Sequence, residues 1–276
     1  MSATGIDSGQ TCCAALKRHE KQLVKSIVNA NKEICDKLTI RFPNFFRSEG
    51  GHKNRLKESL DKVIASQHPK KILDVGSANR PILERSSEYT LTGLDIEELS
   101  GCDDIYDQFI LQSIESPIDE KQNLIYSNAV LEHVPDNKAA ANSMFGGLTP
   151  GGFMVHYLPC KNHPYALILR LVGKKLQKVI IRKLRPWASL STTGYPTYFD
   201  YCSPGQMSKL WKTTGFTNIE VIPLYRANGY FKFFVPLFLL VTAFENFCSR
   251  FDIRYFCSGM IIIAEKPAAT LLPTES

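Results

Sequence analysis

An α/β fold, a parallel sheet covered by helices on both faces, follows from three features of the sequence. From residue 71 onward, short apolar runs alternate with stretches of helical periodicity, the order that βα crossovers impose. The first run, Lys71-Ile-Leu-Asp-Val-Gly76, ends in glycine, and the next ends in Gly93-Leu-Asp95 about twenty positions later, the layout of a ligand-binding edge. With 276 residues, 44% apolar and 22% charged, the chain can bury a core of that size. A disordered, collagenous or disulfide-stapled chain is thereby excluded.

Ahead of the sheet, Leu16, Leu23, Ile27, Ala30, Ile34 and Leu38 fall at helical steps over 16–40. Leu56, Leu60, Val63 and Ile64 do the same over 53–66. Residues 1–66 thus read as an N-terminal helical extension. Strands are expected at 71–75, 90–95, 109–112, 123–127 and 153–158. A helix over 137–148 stops at Pro150-Gly151-Gly152. After about 45 residues without this pattern, Ser203-Pro204 supplies an N-cap and a first-turn proline for a helix that ends at Gly215. Strands at 217–222 and 260–264 complete a domain over 67–266, and 267–276 reads as a flexible tail. Insertions at 159–202 and 223–258 interrupt it.

Eight cysteines are scattered without a CxxC pair or zinc-finger spacing, so no metal site is expected. Residues 1–13 lack the apolar core of a signal peptide, which with the scattered thiols suggests a cytoplasmic protein. The longest apolar run, 233–244, contains Pro236 and is far shorter than the ~20 residues that span a bilayer. The net charge of +6 is unevenly placed: 137–199 holds nine Lys or Arg and no acid, and the rest of the chain is slightly acidic. Such asymmetry points to an anionic partner, nucleic acid or membrane.

The turn after the first strand, Gly76-Ser77-Ala78-Asn79-Arg80-Pro81, has one glycine where a dinucleotide fingerprint has three. Asp95 is placed to accept both hydroxyls of a ribose. Together with YSNAVLEHV (126–134), LTPGG (148–152) and SPGQMSKLWKTTGF (203–216), in this order over about 70–265, the chain resembles the class I S-adenosylmethionine-dependent methyltransferases. The resemblance implies a Rossmann-like, seven-stranded sheet with its last strand antiparallel, and S-adenosylmethionine as cofactor. Carried over by residue, it puts Asp74, Gly76, Ser77 and Ala78 at the methionine end, Asp95 on the ribose and Ile96 against adenine. It puts Gln112 and Ser113 near the adenine amine, and Asn128 and Ala129 on the sulfonium side. Ala78 and Arg80 depart from the family's later glycines. Gln112 replaces its adenine-side acid, though a carboxamide oxygen can accept the same hydrogen bond.

Methyl transfer to a hydroxyl needs its proton removed. Candidate bases are His163, in the loop after the fifth strand; His133, in the Leu-Glu-His motif; and His156 or Tyr157, which alternate so that only one of the two can face a pocket, Tyr157 being also a candidate substrate contact. Trp187, Tyr195, Tyr198 and Asp200 read either as a packed loop or as a ring-lined substrate lid with a polar anchor. Cys160 follows a proline as a cytosine-methylating nucleophile would, but no acid or base accompanies it, and an ordinary loop cysteine fits better.

Residues 167–185 interleave seven Lys or Arg with aliphatics, the pattern of an interfacial basic helix as well as of a solvated charged face. Residues 225–256 hold 11 of the 29 aromatics. There Leu237, Leu240, Phe244, Phe247 and Phe251 define either a buried covering face or one that meets a bilayer or a lipid tail. The expectation is O-methylation of a hydrophobic or lipid-linked acceptor, with peripheral contact to anionic membrane through 167–185 and 225–256. Nucleic acid is disfavoured because the Asn/Asp-Pro-Pro-aromatic turn of base methylation is missing after the fourth strand. A soluble hydrophobic metabolite as acceptor, or an interaction protein on a degenerate methyltransferase fold, are the other readings of the same features.

Overall fold

The computed structural model describes residues 8–46, 51–76, 79–167 and 196–268. They fall into two compact units, one of 8–46 with 227–247, the other built around the sheet.

The sheet unit has seven strands: β1 Lys71–Val75, β2 Thr90–Asp95, β3 Gln108–Leu111, β4 Gln122–Asn128, β5 Leu148–Pro159, β6 Thr217–Leu224 and β7 Gly259–Glu265. Their order is β3-β2-β1-β4-β5-β7-β6. All pairs are parallel except those of β7, which runs antiparallel to both β5 and β6. β1 and β2 lie where the apolar runs put them. β5 begins five residues before its predicted start, because Pro150-Gly151 is absorbed in a bulge against β4 and Gly151 and Gly152 bond to Lys266 beyond β7.

The period of two on the central strands sorts the helices. Ile72, Tyr126 and Val155 face Leu56, Leu60 and Val63 of α3 (His52–Gln67) in one core. On that face Tyr157 also stacks on His52, ring centroids 4.4 Å apart. The other face carries His156, stacked at 5.4 Å on Trp211 of α6 (Pro204–Thr214). α5 (Asn137–Gly147) lies next to α6 there, with Phe145 and Trp211 both edge-on to Phe216. α6 starts at Ser203-Pro204 as its sequence dictates and stops at Gly215, whose φ of 113° needs glycine. α5 is capped at its start by Asp136, which accepts from the amides of Lys138 and Ala139. At its end Lys266 donates to the carbonyls of Phe145 and Leu148.

One expectation fails between β1 and β2. The described part of that crossover, Asn79 to Tyr89, is turns and bends where a helix was expected to follow the glycine turn. Pro81 removes a donor near its start, and Leu83 is drawn into the core with its amide on the Tyr126 hydroxyl. A short helix, α4 (Cys102–Ile105), comes only after β2.

The second unit contains α1 (Ser8–Arg41), α2 (Pro43–Phe46) and most of α7 (Val235–Arg250). Asp36 binds Lys32 and Lys232, Asn246 donates to the Phe45 carbonyl, and Phe46 stacks on Phe238 at 5.1 Å. α7 buries Phe238, Val241, Thr242, Glu245 and Cys248, so the stripe of Leu240 and Phe247 singled out in the sequence is its outer side. The other members of that stripe within α7, Leu237 and Phe244, are half-buried, so part of it covers the unit and part of it is exposed.

Candidate functional site

The carboxyl ends of β1, β2 and β4 meet at one edge of the sheet, and the sequence-predicted cofactor residues meet there with them. Gly76 turns the chain with φ +72° and its amide donates to Leu94 O at 2.7 Å. Position 76 has no room for a side chain: a Cβ would lie 2.5 Å from Val130 Cγ2 and 2.8 Å from Cγ1. Asp74, expected to line the methionine end, is fully buried beneath this turn. Its Oδ2 accepts from Tyr126 (2.6 Å) and Tyr106 (3.1 Å). Burial, and then the adjacent Asp74 carboxylate, push the Tyr126 hydroxyl well above its ordinary pKa, so it stays a donor. Asp74 thus anchors the turn from below. Ser77 and Ala78 lie outside the described residues.

Asp95 ends β2 half-buried, with Oδ1 accepting from the Glu97 amide at 3.2 Å. Ile96 beside it is 60% exposed, an apolar side chain in the place where an adenine ring is expected. Gln112 bonds through its backbone amide to Asp95 O, and its side-chain NH₂ donates to Pro117 O. A carbonyl can only accept, which fixes the carboxamide with its oxygen turned away from Pro117 and able to accept. Ser113 instead donates to Glu115 at 3.1 Å, which takes up its hydroxyl proton.

At the end of β4, Asn128 Oδ1 is buried with no hydrogen-bond partner among the described residues, an acceptor waiting for a donor. Ala129 follows with φ +59°, its amide on Tyr157 O. The next turn, Leu131–His133, is clamped by the segment that returns from the first insertion. Tyr198 and Phe199 amides donate to Glu132 O, and Asn137 bridges Leu131 O and Asp200 O. Asp200 Oδ2 accepts the Asn137 amide at 2.9 Å, so the carboxylate predicted as a substrate anchor is engaged at the start of α5. Phe199 and Tyr201 both hold positive φ here. With Ala129, three non-glycine residues in this strained region gather at the edge of β4, a concentration typical of functional sites.

Two residues of this turn bring titratable side chains close together. His133 Nδ1 is 3.0 Å from Pro196 O, which requires the proton on Nδ1 and leaves the lone pair on Nε2. Its side chain is one-third exposed, and Nε2 lies 3.7 Å from Glu132 Oε1. Glu132 is buried, its Oε2 lacks a partner among the described residues, and burial raises its pKa to about 8. Glu132 was missed in the sequence, where Leu-Glu-His drew attention to the histidine; nothing local marks a glutamate as buried.

The other two predicted bases are corrected by their surroundings. His163, the leading candidate, is fully buried, tilted against Tyr165 with Nδ1 accepting the Tyr165 amide. The loop after β5 folds inward rather than standing at the rim. His156 is also fully buried, bonded to the Ser127 hydroxyl at 2.8 Å, and burial lowers its pKa to about 3. Tyr157 takes the α3 side, so each member of the alternating pair packs against a helix layer. Tyr198 is half exposed; Trp187 and Tyr195 lie outside the described residues. Cys160 is buried with its thiol on Tyr255 O, as an ordinary core cysteine. No metal-binding group of three His, Cys, Asp or Glu occurs among the described residues. An open cavity of about 580 Å³ near the first turn of α6, lined by Lys161, Ser203 and Arg254 among others, includes none of the cofactor or base residues.

The edge therefore suits a nucleoside joined to an amino acid: a carboxylate for vicinal hydroxyls, an exposed isoleucine for a ring, a free carboxamide oxygen at Gln112, and an orphan acceptor at Asn128. Comparison with known proteins agrees. A methyltransferase-domain family matches residues 46–221, well over half of the chain. A ubiquinone biosynthesis O-methyltransferase of Pseudomonas fluorescens is 24% identical over 168 residues, 56% of this chain and 68% of that one. Its counterpart in Pseudomonas entomophila is 27% identical over 117 residues, 38% and 50% of the two chains. Among solved structures, phosphoethanolamine N-methyltransferase 2 of Haemonchus contortus aligns with a TM-score of 0.49 and 14% identity, over 78% of this chain. This chain spans only about half, 52%, of that protein. The N-methyltransferase NodS of Bradyrhizobium japonicum aligns with a TM-score of 0.47 and 13% identity, over 80% and 99% of the two chains. On the family match, with a β3-β2-β1-β4-β5-β7-β6 sheet, the chain belongs to the class I S-adenosylmethionine-dependent methyltransferases.

Proposed function

We propose that this methyltransferase methylates an oxygen of a hydrophobic or lipid-linked acceptor at a membrane surface, with His133 as the base. The observation that carries the reading is the His133 tautomer: Pro196 O holds Nδ1–H and leaves Nε2 to take a proton. S-adenosylmethionine supplies a methyl group made electrophilic by its sulfonium. The residues of the chain do the rest. Asp95 takes the ribose hydroxyls, Ile96 packs on the adenine, Gln112 accepts from its amine, and Asn128 Oδ1 accepts from the donor-bearing amino-acid end. Gly76 and Ala129 let the backbone approach. Nε2 takes the acceptor's hydroxyl proton as the oxygen–methyl bond forms, and the one-third-exposed side chain of His133 can then pass that proton to solvent.

The oxygen and the hydrophobic acceptor are supported by the kind of relative matched, ubiquinone biosynthesis O-methyltransferases. A membrane surface is supported by the acid-free, nine-cation stretch 137–199. Most of it, including the basic 168–185, lies outside the described residues. Cys35, Cys102, Cys160, Cys202, Cys248 and Cys257 are free thiols, and among the described residues no helix is long and apolar enough to cross a membrane. We place the enzyme on the cytoplasmic side.

The test is transfer of labelled methyl from S-adenosylmethionine to a total lipid extract in detergent, with the full chain. The reading predicts an organic-soluble labelled product that resists cleavage as an ether does. It also predicts that His133→Ala slows transfer by about 10²-fold or more while cofactor affinity stays unchanged. Label appearing only on water-soluble metabolites, or an unaffected His133→Ala enzyme, would sink the acceptor class or the base respectively.

A further inference from the structure

α7 has an outer face that ordinary surface helices do not have. Pro236, Leu239, Leu240, Ala243 and Phe247 form one stripe along it, all exposed, with Leu240 at 67% and Phe247 at 55%. The helix has a single charged residue before Arg250, Glu245, and that carboxylate is turned inward to accept the Ala227 amide at 2.7 Å. A solvated helix would place its polar residues on this side. In the same unit Ile40, 81% exposed, and Phe45 add apolar surface, Phe45 being held by Asn246 of α7. An exposed apolar stripe along one helix marks an interaction site, unlike scattered exposed leucines.

We propose that the outer face of α7 docks this unit onto an anionic lipid surface, lying flat in the interface. The inference rests on the membrane-surface reading above and names the element that makes the contact. Two observations choose lipid over a second copy of the chain. The described residues of this unit carry eight Lys or Arg against four Asp or Glu, a surplus that anionic headgroups neutralise and that a symmetric dimer would set against itself. A helix of 16 residues is about 24 Å long, too short to span a bilayer but suited to its plane.

The experiment is co-sedimentation of the full chain with phosphatidylcholine vesicles and with vesicles that also contain phosphatidylglycerol. The wild type is expected to bind the anionic vesicles more tightly, and Leu239→Asp with Leu240→Asp to weaken that binding by about tenfold or more, since each removes a buried leucine's worth of transfer. Circular dichroism and cofactor titration of the variant should match the wild type. Phe247→Trp, which keeps the face apolar, should gain emission that brominated lipid quenches. Unchanged vesicle binding by the double variant, or no additional quenching in Phe247→Trp, overturns the proposal. So does light scattering that finds a dimer broken by the substitutions. Lipid methylation in detergent without vesicle binding would defeat the docking alone, and vesicle binding without lipid methylation would defeat the acceptor class alone.

Discussion

Gly76→Ala puts the central turn under a load that can be reckoned from its geometry. Alanine at φ +72° costs about 1–2 kcal/mol in backbone strain alone. The new methyl would also meet Val130 Cγ2 at 2.5 Å and Cγ1 at 2.8 Å, against an ordinary carbon contact of about 3.5–4.0 Å. Relieving such an overlap by shifting the turn or the valine costs about 1–3 kcal/mol. The sum is about 2–5 kcal/mol, a large fraction of the stability of a typical domain. Adding Val130→Ala removes both clashing methyls, so the double variant should recover the steric share and leave the strain. Urea unfolding of the four proteins, with m-values compared to guard against a changed unfolded state, gives the coupling directly. A loss under about 0.5 kcal/mol for Gly76→Ala would refute the account of the turn. A coupling near zero would show that Val130 is not what closes it.

Other outcomes follow from the same geometry. Because burial raises Glu132 to about 8, the folded state binds a proton that the unfolded state has already released near pH 4.5. Its stabilising contribution is therefore full at low pH and lost as pH climbs through 8, at about 1.4 kcal/mol per unit. Glu132→Gln should flatten this slope, giving a variant that gains on the wild type between pH 5.5 and 8.5 in urea midpoints; parallel profiles would exclude a buried neutral acid. Lys266→Met removes the donor to Phe145 O and Leu148 O and the cation 4.9 Å from the Phe145 ring, and should lower stability by about 1–2 kcal/mol in thermal melts. Asp200→Ala frees the Asn137 amide and should cost about 1 kcal/mol with a fall in kcat larger than any change in cofactor affinity. A pure KM effect would return Asp200 to the role of substrate anchor.

The strands were legible because β1 and β4 are buried on both sides and carry short apolar runs, Ile72-Leu73 and Leu124-Ile125-Tyr126, and Ser203-Pro204 with Gly215 punctuated α6 unambiguously. Asp95 and Gly76 could be found since their roles depend on strand ends, which a linear pattern fixes. What the pattern could not carry was direction in irregular chain. His163 follows a strand end, as a rim residue would, yet the loop turns it inward beside Tyr165. His156 has the same alternation as Tyr157, and only the placement of Trp211 shows which helix layer each one meets. The face of α7 was ambiguous because both its sides are apolar, so periodicity named a stripe without saying whether it points in or out. The clamp on Glu132 joins residues more than sixty positions apart, and no local signal announces it.

Calorimetric titration of the full chain with S-adenosylmethionine bears most directly on the cofactor edge. The wild type should bind one equivalent. Asp95→Ala, deprived of two hydrogen bonds to a charged group worth about 1.5 kcal/mol each, should bind roughly 100-fold more weakly with an unchanged melting curve. Absence of binding by the folded wild type, or an Asp95→Ala variant that binds as tightly, would contradict the assignment of this edge to the cofactor.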